Sequence, residues 1–169
     1  MSSKESRLES LDHDFFMALA LQNAQSELAR GGRPIFCLVV QQNGQVIGQA
    51  GNTVSRDMDP SAHAEVNAIR SACASLKTLD LSGSTLYTPM EPCPMCLSTI
   101  LEAKISAIVL GARHKRVGRT DLGNYSVEAL LGLLSRRIDV VAGVRESECE
   151  ELRLVWKRRH GETQSKATR

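Results

Sequence analysis

Five short, mostly apolar runs, all but the first two separated by stretches long enough for helices, leave this chain few ways to fold. Residues 35–40 are almost wholly apolar and rich in β-branched and aromatic side chains, Asn43-Gly44 is a turn dipeptide, and 45–50 continue beyond it. They predict an antiparallel hairpin. Runs at 84–87, 105–110 and 138–141 read as further, buried strands. Between and around them lie five predicted helices. The first covers 14–30, with Asp12 or Asp14 as its cap and Gly31-Gly32 as its stop. The second runs from Pro60 to about Leu76 after a capping Asp59, and the third is opened by Pro92 and Pro94 and runs to about Ala103. The last two cover 127–134 and 146–159. A hairpin followed by strand–helix units, with strands apolar on both faces, implies an α/β fold. The expected architecture is a three-layer α-β-α arrangement, a mixed five-stranded sheet with helices on both faces.

Composition narrows the setting. A chain of 169 residues is the length of one domain, expected over 1–160, with 161–169 as a disordered tail. It is 42% hydrophobic and 24% charged, with no apolar run long enough to cross a bilayer and no secretory leader pattern at its start, so a cytoplasmic location is expected. Five scattered cysteines, an odd number, argue against a disulfide framework, and the close pair Cys93 and Cys96 points to metal or redox chemistry. A net charge of +2 does not demand a nucleic-acid partner. Lys157, Arg158, Arg159, Lys166 and Arg169 do gather at the end of the chain. They read either as a solvated helix end or as a surface that lies along phosphates.

The chemistry concentrates in two motifs. His63-Ala64-Glu65 falls near the start of the predicted second helix, and Pro92-Cys93-Pro94-Met95-Cys96 opens the third. A Cys-x-x-Cys at a helix start puts both sulfurs beside unpaired N–H groups and the positive end of the dipole, which favour thiolate, the metal-binding form. One histidine completes three ligands and leaves the fourth tetrahedral position of Zn²⁺ open for water, as catalytic rather than structural sites do. Zinc brings the pKa of bound water to about 7, and a base is still needed to take the proton. Glu65, roughly 200° around the helix from His63, is placed to be that base rather than a ligand. A redox pair needs neither His63 nor Glu65, and a structural site needs a fourth ligand that His13, His114, Cys37, Cys73 and Cys149 do not supply in any second motif.

The pattern H-x-E followed by P-C-x-x-C resembles the cytidine deaminase superfamily. Asn52, the run 59–65, the run 86–88 and the run 91–96 are most similar to the branch of guanine deaminases, cytosine deaminases and tRNA adenosine deaminases. The likeness extends over about 14–159. It implies the cytidine deaminase-like fold and one Zn²⁺ per chain on His63, Cys93 and Cys96. It implies Glu65 as proton shuttle, Asn52 and the backbone N–H of Ala64 as contacts to the base, and a homodimer. Asn52 also has the plainer reading of a turn residue at a strand end.

The chain departs from that branch at Pro34-Ile35-Phe36-Cys37, where a bulky ring replaces a usual glycine, and in the loop 113–125. His114, between Arg113 and Lys115-Arg116, reads as part of a solvated basic loop, and Asp121 as a cap or turn residue that is also in reach of a base amine. Trp156 reads as an anchor for the last helix, with a lid over the pocket as the alternative. The expected reaction is hydrolytic deamination of a free nucleobase or nucleoside of guanine or cytosine type. The alternative is adenosine-to-inosine deamination of tRNA.

Overall fold

The computed structural model describes residues 11–160, so the expected tail over 161–169, with Lys166 and Arg169, lies outside the described residues. Along the chain run α1 (His13–Ala29), β1 (Phe36–Val40), β2 (Val46–Gly51), α2 (Val54–Asp57), α3 (Ala64–Leu76), β3 (Thr85–Met90), α4 (Pro94–Glu102), β4 (Ala107–Ala112), α5 (Val127–Leu133), β5 (Asp139–Ala142) and α6 (Glu146–His160). Among the described residues no helix is long and apolar enough to cross a membrane.

The five strands form one mixed sheet in the order β2-β1-β3-β4-β5. β1 is antiparallel to both β2 and β3, whereas β3, β4 and β5 are mutually parallel. Period-two alternation divides the core. Cys37, Val39, Leu86, Ile108 and Leu110 face α3, α4 and α5, while Leu38, Val40, Tyr87 and Val109 face α1 and α6. β3 and β4 are therefore buried at every position, as strands covered on both faces must be. This is the expected three-layer arrangement.

Local chemistry explains most boundaries. The Asp12 carboxylate accepts from the Phe15 N–H at 2.9 Å and starts α1, and Gly31 at φ +83° ends it. In the β1–β2 hairpin only Gly44 of the Asn-Gly pair takes positive φ, at +82°. Its N–H donates to the Gln41 carbonyl at 2.9 Å, and the register shifts between Val39 and Val40, so the turn is longer than a two-residue one and ends in a bulge.

Two boundaries differ from the sequence reading. α3 starts at Ala64 rather than Pro60, because the Asp59 carboxylate closes a tight turn on the Ser61 N–H (2.8 Å) and hydroxyl (2.7 Å) instead of capping a helix. β3 runs on through Pro89 to Met90. Pro89 falls past the last register pair with β1, at Tyr87, and is skipped in the pairing with β4, which resumes at Met90.

α3 packs closely on β2 at Gly48. A Cβ there would meet the Ala68 carbonyl and stand 2.6 Å from the Ala72 nitrogen, so helix and strand would have to separate. Gly48→Ala is expected to cost about 1–3 kcal/mol in urea unfolding. Gly132→Ala, in α5 with open space around it, is expected to stabilise by about 0.4–1 kcal/mol.

Candidate metal centre and active site

Because β1 runs opposite to its neighbours, the carboxyl ends of β2, β3 and β4 share one edge of the sheet. Asn52, Glu91 to Cys93, and Arg113-His114 leave the sheet there. α3 and α4 begin at the same edge with ligands as their capping residues. His63 is the N-cap of α3 (φ −69°, ψ 153°) and Cys93 that of α4 (φ −72°, ψ 170°), with Pro94 in the first turn. His63 thus sits just before its helix rather than in the first turn.

The three donor atoms converge. His63 Nδ1 lies 3.6 Å from Cys93 Sγ and 3.4 Å from Cys96 Sγ, and the sulfurs are 3.5 Å apart. A zinc tetrahedron with Zn–S of about 2.3 Å and Zn–N of about 2.0–2.1 Å has edges of about 3.5–3.8 Å, so the donor set fits that ion. Charge agrees with geometry. From protein groups alone the pair sustains one thiolate: Cys93 is held down at about 3 by its hydrogen bond with Cys96 and by His63. Cys96 is driven up by that same hydrogen bond, by burial and by the Glu65 carboxylate. A divalent cation between them allows both sulfurs to ionise.

Glu65, only 4% exposed, lines the same pocket. Burial, reinforced by the Cys93 thiolate, pushes its carboxyl up to about 7, against the opposing pull of its own helix N-terminal N–H and of His63. A carboxyl titrating near neutrality gives and takes protons at comparable cost.

Asn52 also lines the pocket, and it serves as the turn residue as well: its side-chain oxygen accepts from the Val54 N–H at 3.4 Å. Ala64 is fully buried in the core on the α3 side and forms no part of the pocket wall, which leaves only its backbone N–H as a donor. Ile35 reaches the pocket; Phe36 does not, and packs in the core beneath α1 and α6. Trp156 is an anchor in that same core, with the guanidinium groups of Arg33 and Arg153 at 5.4 and 4.5 Å from its ring centroid. Asp121 is engaged by Arg119 at 2.9 Å.

His114 corrects the sequence reading. It is 3% exposed and stands in the pocket wall instead of on a solvated loop. The reason is Glu91, whose buried carboxylate accepts from the His114 N–H (3.0 Å), the Val127 N–H (3.1 Å) and Arg113 Nη1 (3.0 Å). Tyr125 donates its hydroxyl to the Pro92 carbonyl at 2.6 Å. The loop is thereby tied to the strand end that carries the zinc cysteines. Glu91 was visible only as a neighbour of the cysteine motif, and Arg33, Arg119 and Arg153, which complete the pocket wall, carry no sequence pattern.

The pocket beside the ligands encloses about 20 Å³ and opens beside a groove of about 600 Å³ under the 113–126 loop. A separate hollow of about 320 Å³, lined by Thr85, Lys104 and Arg136 at the amino ends of β3 and β4, contains none of these groups.

A cytidine deaminase-like sheet carrying a His/Cys/Cys zinc site at this edge is the arrangement of the zinc-dependent deaminase family. Residues 10–112 match the cytidine and deoxycytidylate deaminase zinc-binding region, and the chain belongs to that family. A tRNA-specific adenosine deaminase of Bacillus subtilis is 33% identical over 80% of this chain and 83% of its own. Guanine deaminase of the same organism is 38% identical over 62% and 67%. A protein of Deinococcus radiodurans named tRNA(Ile)-lysidine synthase is 40% identical over 80% of this chain, which spans only 23% of that relative's length. Among solved structures, one from work on A-to-I editing by tRNA:A34 deaminases superposes with a TM-score of 0.70 at 36% identity, covering 82% of this chain and 98% of the other. Guanine deaminase from Nitrosomonas europaea gives 0.77 at 27% identity, over 86% and 84%.

Two outcomes follow. Cys96→Ala is expected to bring zinc, measured by plasma mass spectrometry, from about one per chain to near zero and to lower the melting temperature. Glu91→Ala leaves the buried His114 and Val127 N–H groups without an acceptor and removes one of the two carboxylates on Arg113, Glu128 remaining, for an expected loss of about 3 kcal/mol in urea unfolding of the zinc-loaded protein.

Proposed function

We propose that this chain converts adenosine to inosine in tRNA, with the target base entering the zinc pocket and the flanking backbone lying on the cationic rim. The observation that carries this reading is the rim itself. Arg33, Arg119 and Arg153 line the pocket, and Arg113, Lys115 and Arg116 continue along the groove. Part of this charge is balanced internally, Arg113 by Glu91 and Glu128, Arg116 by Glu150 and Arg119 by Asp121. Arg33 and Lys115 are placed to meet phosphates, which a neutral free base does not supply. Five curated bacterial relatives, 30–36% identical, are named tRNA-specific adenosine deaminase, which supports the same choice.

In this reading Glu65 takes a proton from water as the oxygen adds to the amino-bearing ring carbon. It delivers that proton to the adjacent ring nitrogen and returns a second to the amine, which leaves as ammonia while the carbonyl forms. The zinc on His63, Cys93 and Cys96 supplies the Lewis acidity that makes water nucleophilic at neutral pH. Asn52 and the Ala64 N–H orient the base. A second reading, deamination of free guanine, is favoured by the likeness to the Nitrosomonas guanine deaminase and uses the same atoms with a different ring carbon presented.

The test is ammonia release by zinc-loaded protein from an anticodon stem-loop and from guanine, at about 50 and 200 mM salt. Stem-loop activity that falls steeply with salt is the expected result. Turnover of guanine alone, insensitive to salt, replaces this reading with the second. Glu65→Gln is expected to keep its zinc and lose about 10²- to 10⁴-fold in kcat; undiminished turnover would remove Glu65 from the mechanism.

A further inference from the structure

Neither ring nitrogen of His114 has a hydrogen-bond partner among the described residues, although the side chain is almost fully buried. A buried imidazole left unpaired on both nitrogens is costly, and folds retain such groups where something else is to be bound. Its position is as informative as its isolation. His114 lines both the zinc pocket and the larger groove, so a ring passing from the groove toward the zinc ligands passes it.

The ring is held in place. The His114 backbone N–H donates to Glu91 at 3.0 Å, Tyr125 packs with its ring centroid 6.0 Å from the imidazole, and the Tyr125 hydroxyl donates to the Pro92 carbonyl. Every tether leads to the segment that carries the first zinc cysteine. The pocket beyond is small, about 20 Å³, and has His114 in its wall, so a base entering it comes against this side chain.

We infer that His114 is a specificity-determining residue, whose imidazole hydrogen-bonds a polar edge of the substrate ring or its attached sugar as the reacting base enters the zinc pocket. Burial and the Arg119 charge lower its pKa, so the ring that meets substrate is neutral and offers one donor and one acceptor. The inference rests on the deaminase reading but not on which of the two substrates is used.

The experiment compares zinc-loaded wild type, His114→Phe and His114→Asn for zinc content, melting temperature, kcat and KM. Dissociation constants for an anticodon stem-loop and for guanine are measured alongside. His114→Phe, which fills the space without polar atoms, is expected to keep zinc and to melt no lower than wild type. Its kcat/KM on the preferred substrate should fall roughly 10- to 100-fold. His114→Asn, which retains a donor and an acceptor, is expected to recover much of that loss. Unchanged kcat/KM and binding in His114→Phe overturn the inference alone, as does an equal loss in both variants. A wild type that binds neither probe overturns the deaminase substrate readings together with this one.

Discussion

Three side chains from two helix starts must meet within 3.6 Å, and that demand shapes the edge of the sheet on which they lie. Each helix N-terminus carries unsatisfied N–H groups and a positive dipole end, which favour anionic sulfur. Bringing two such ends side by side is unfavourable unless negative groups collect between them. The Cys93 thiolate and the Glu65 carboxylate are those groups. They oppose one another in turn, which is why Glu65 is pushed up toward neutrality and why Cys96 resists ionising from protein groups alone. A divalent cation resolves the conflict, so the electrostatics of the fold and of the metal site are one problem.

The sheet supplies the rigidity that this convergence requires. Gly48 lets α3 approach β2 closely, and β3, buried on both faces, fixes the start of α4. Glu91 extends the same rigidity outward: one buried carboxylate, accepting from Arg113, His114 and Val127, couples the end of β3 to the loop after β4 and to the first residue of α5. The pocket wall therefore has its two sides joined by hydrogen bonds to a single residue two positions before a zinc ligand.

What the sequence revealed and what it hid follow from the range of the forces involved. His63, Cys93 and Cys96 were readable as a metal site because the Cys-x-x-Cys spacing is local, set by one turn of helix beside a helix start. The five strands were readable because short apolar, β-branched runs bounded by turn residues act within a few residues. The start of α3 was misplaced because Asp59-Pro60 carries both helix-cap and turn chemistry, and the Ser61 hydroxyl decides between them. His114 was misread for a non-local reason. Its neighbours Arg113, Lys115 and Arg116 mark a solvated loop, and its burial arises from Glu91 and Tyr125, 23 residues before and 11 after it.

The same logic bears on substrate. Two thiolates on a divalent cation make a neutral cluster, so the charge felt by an approaching ligand is set by Glu65 and by the wall around it. Glu91 is spent on Arg113, and Asp121 on Arg119. Arg33 lies over an indole buried in the core beneath α1, 5.4 Å from its ring centroid, which holds its cationic head at the pocket. Holding long cationic side chains in place costs conformational entropy, and a neutral free base returns none of it. A phosphodiester on either side of the target nucleotide does, which is the physical case for an RNA substrate at a pocket whose chemistry alone is indifferent between adenosine and guanine.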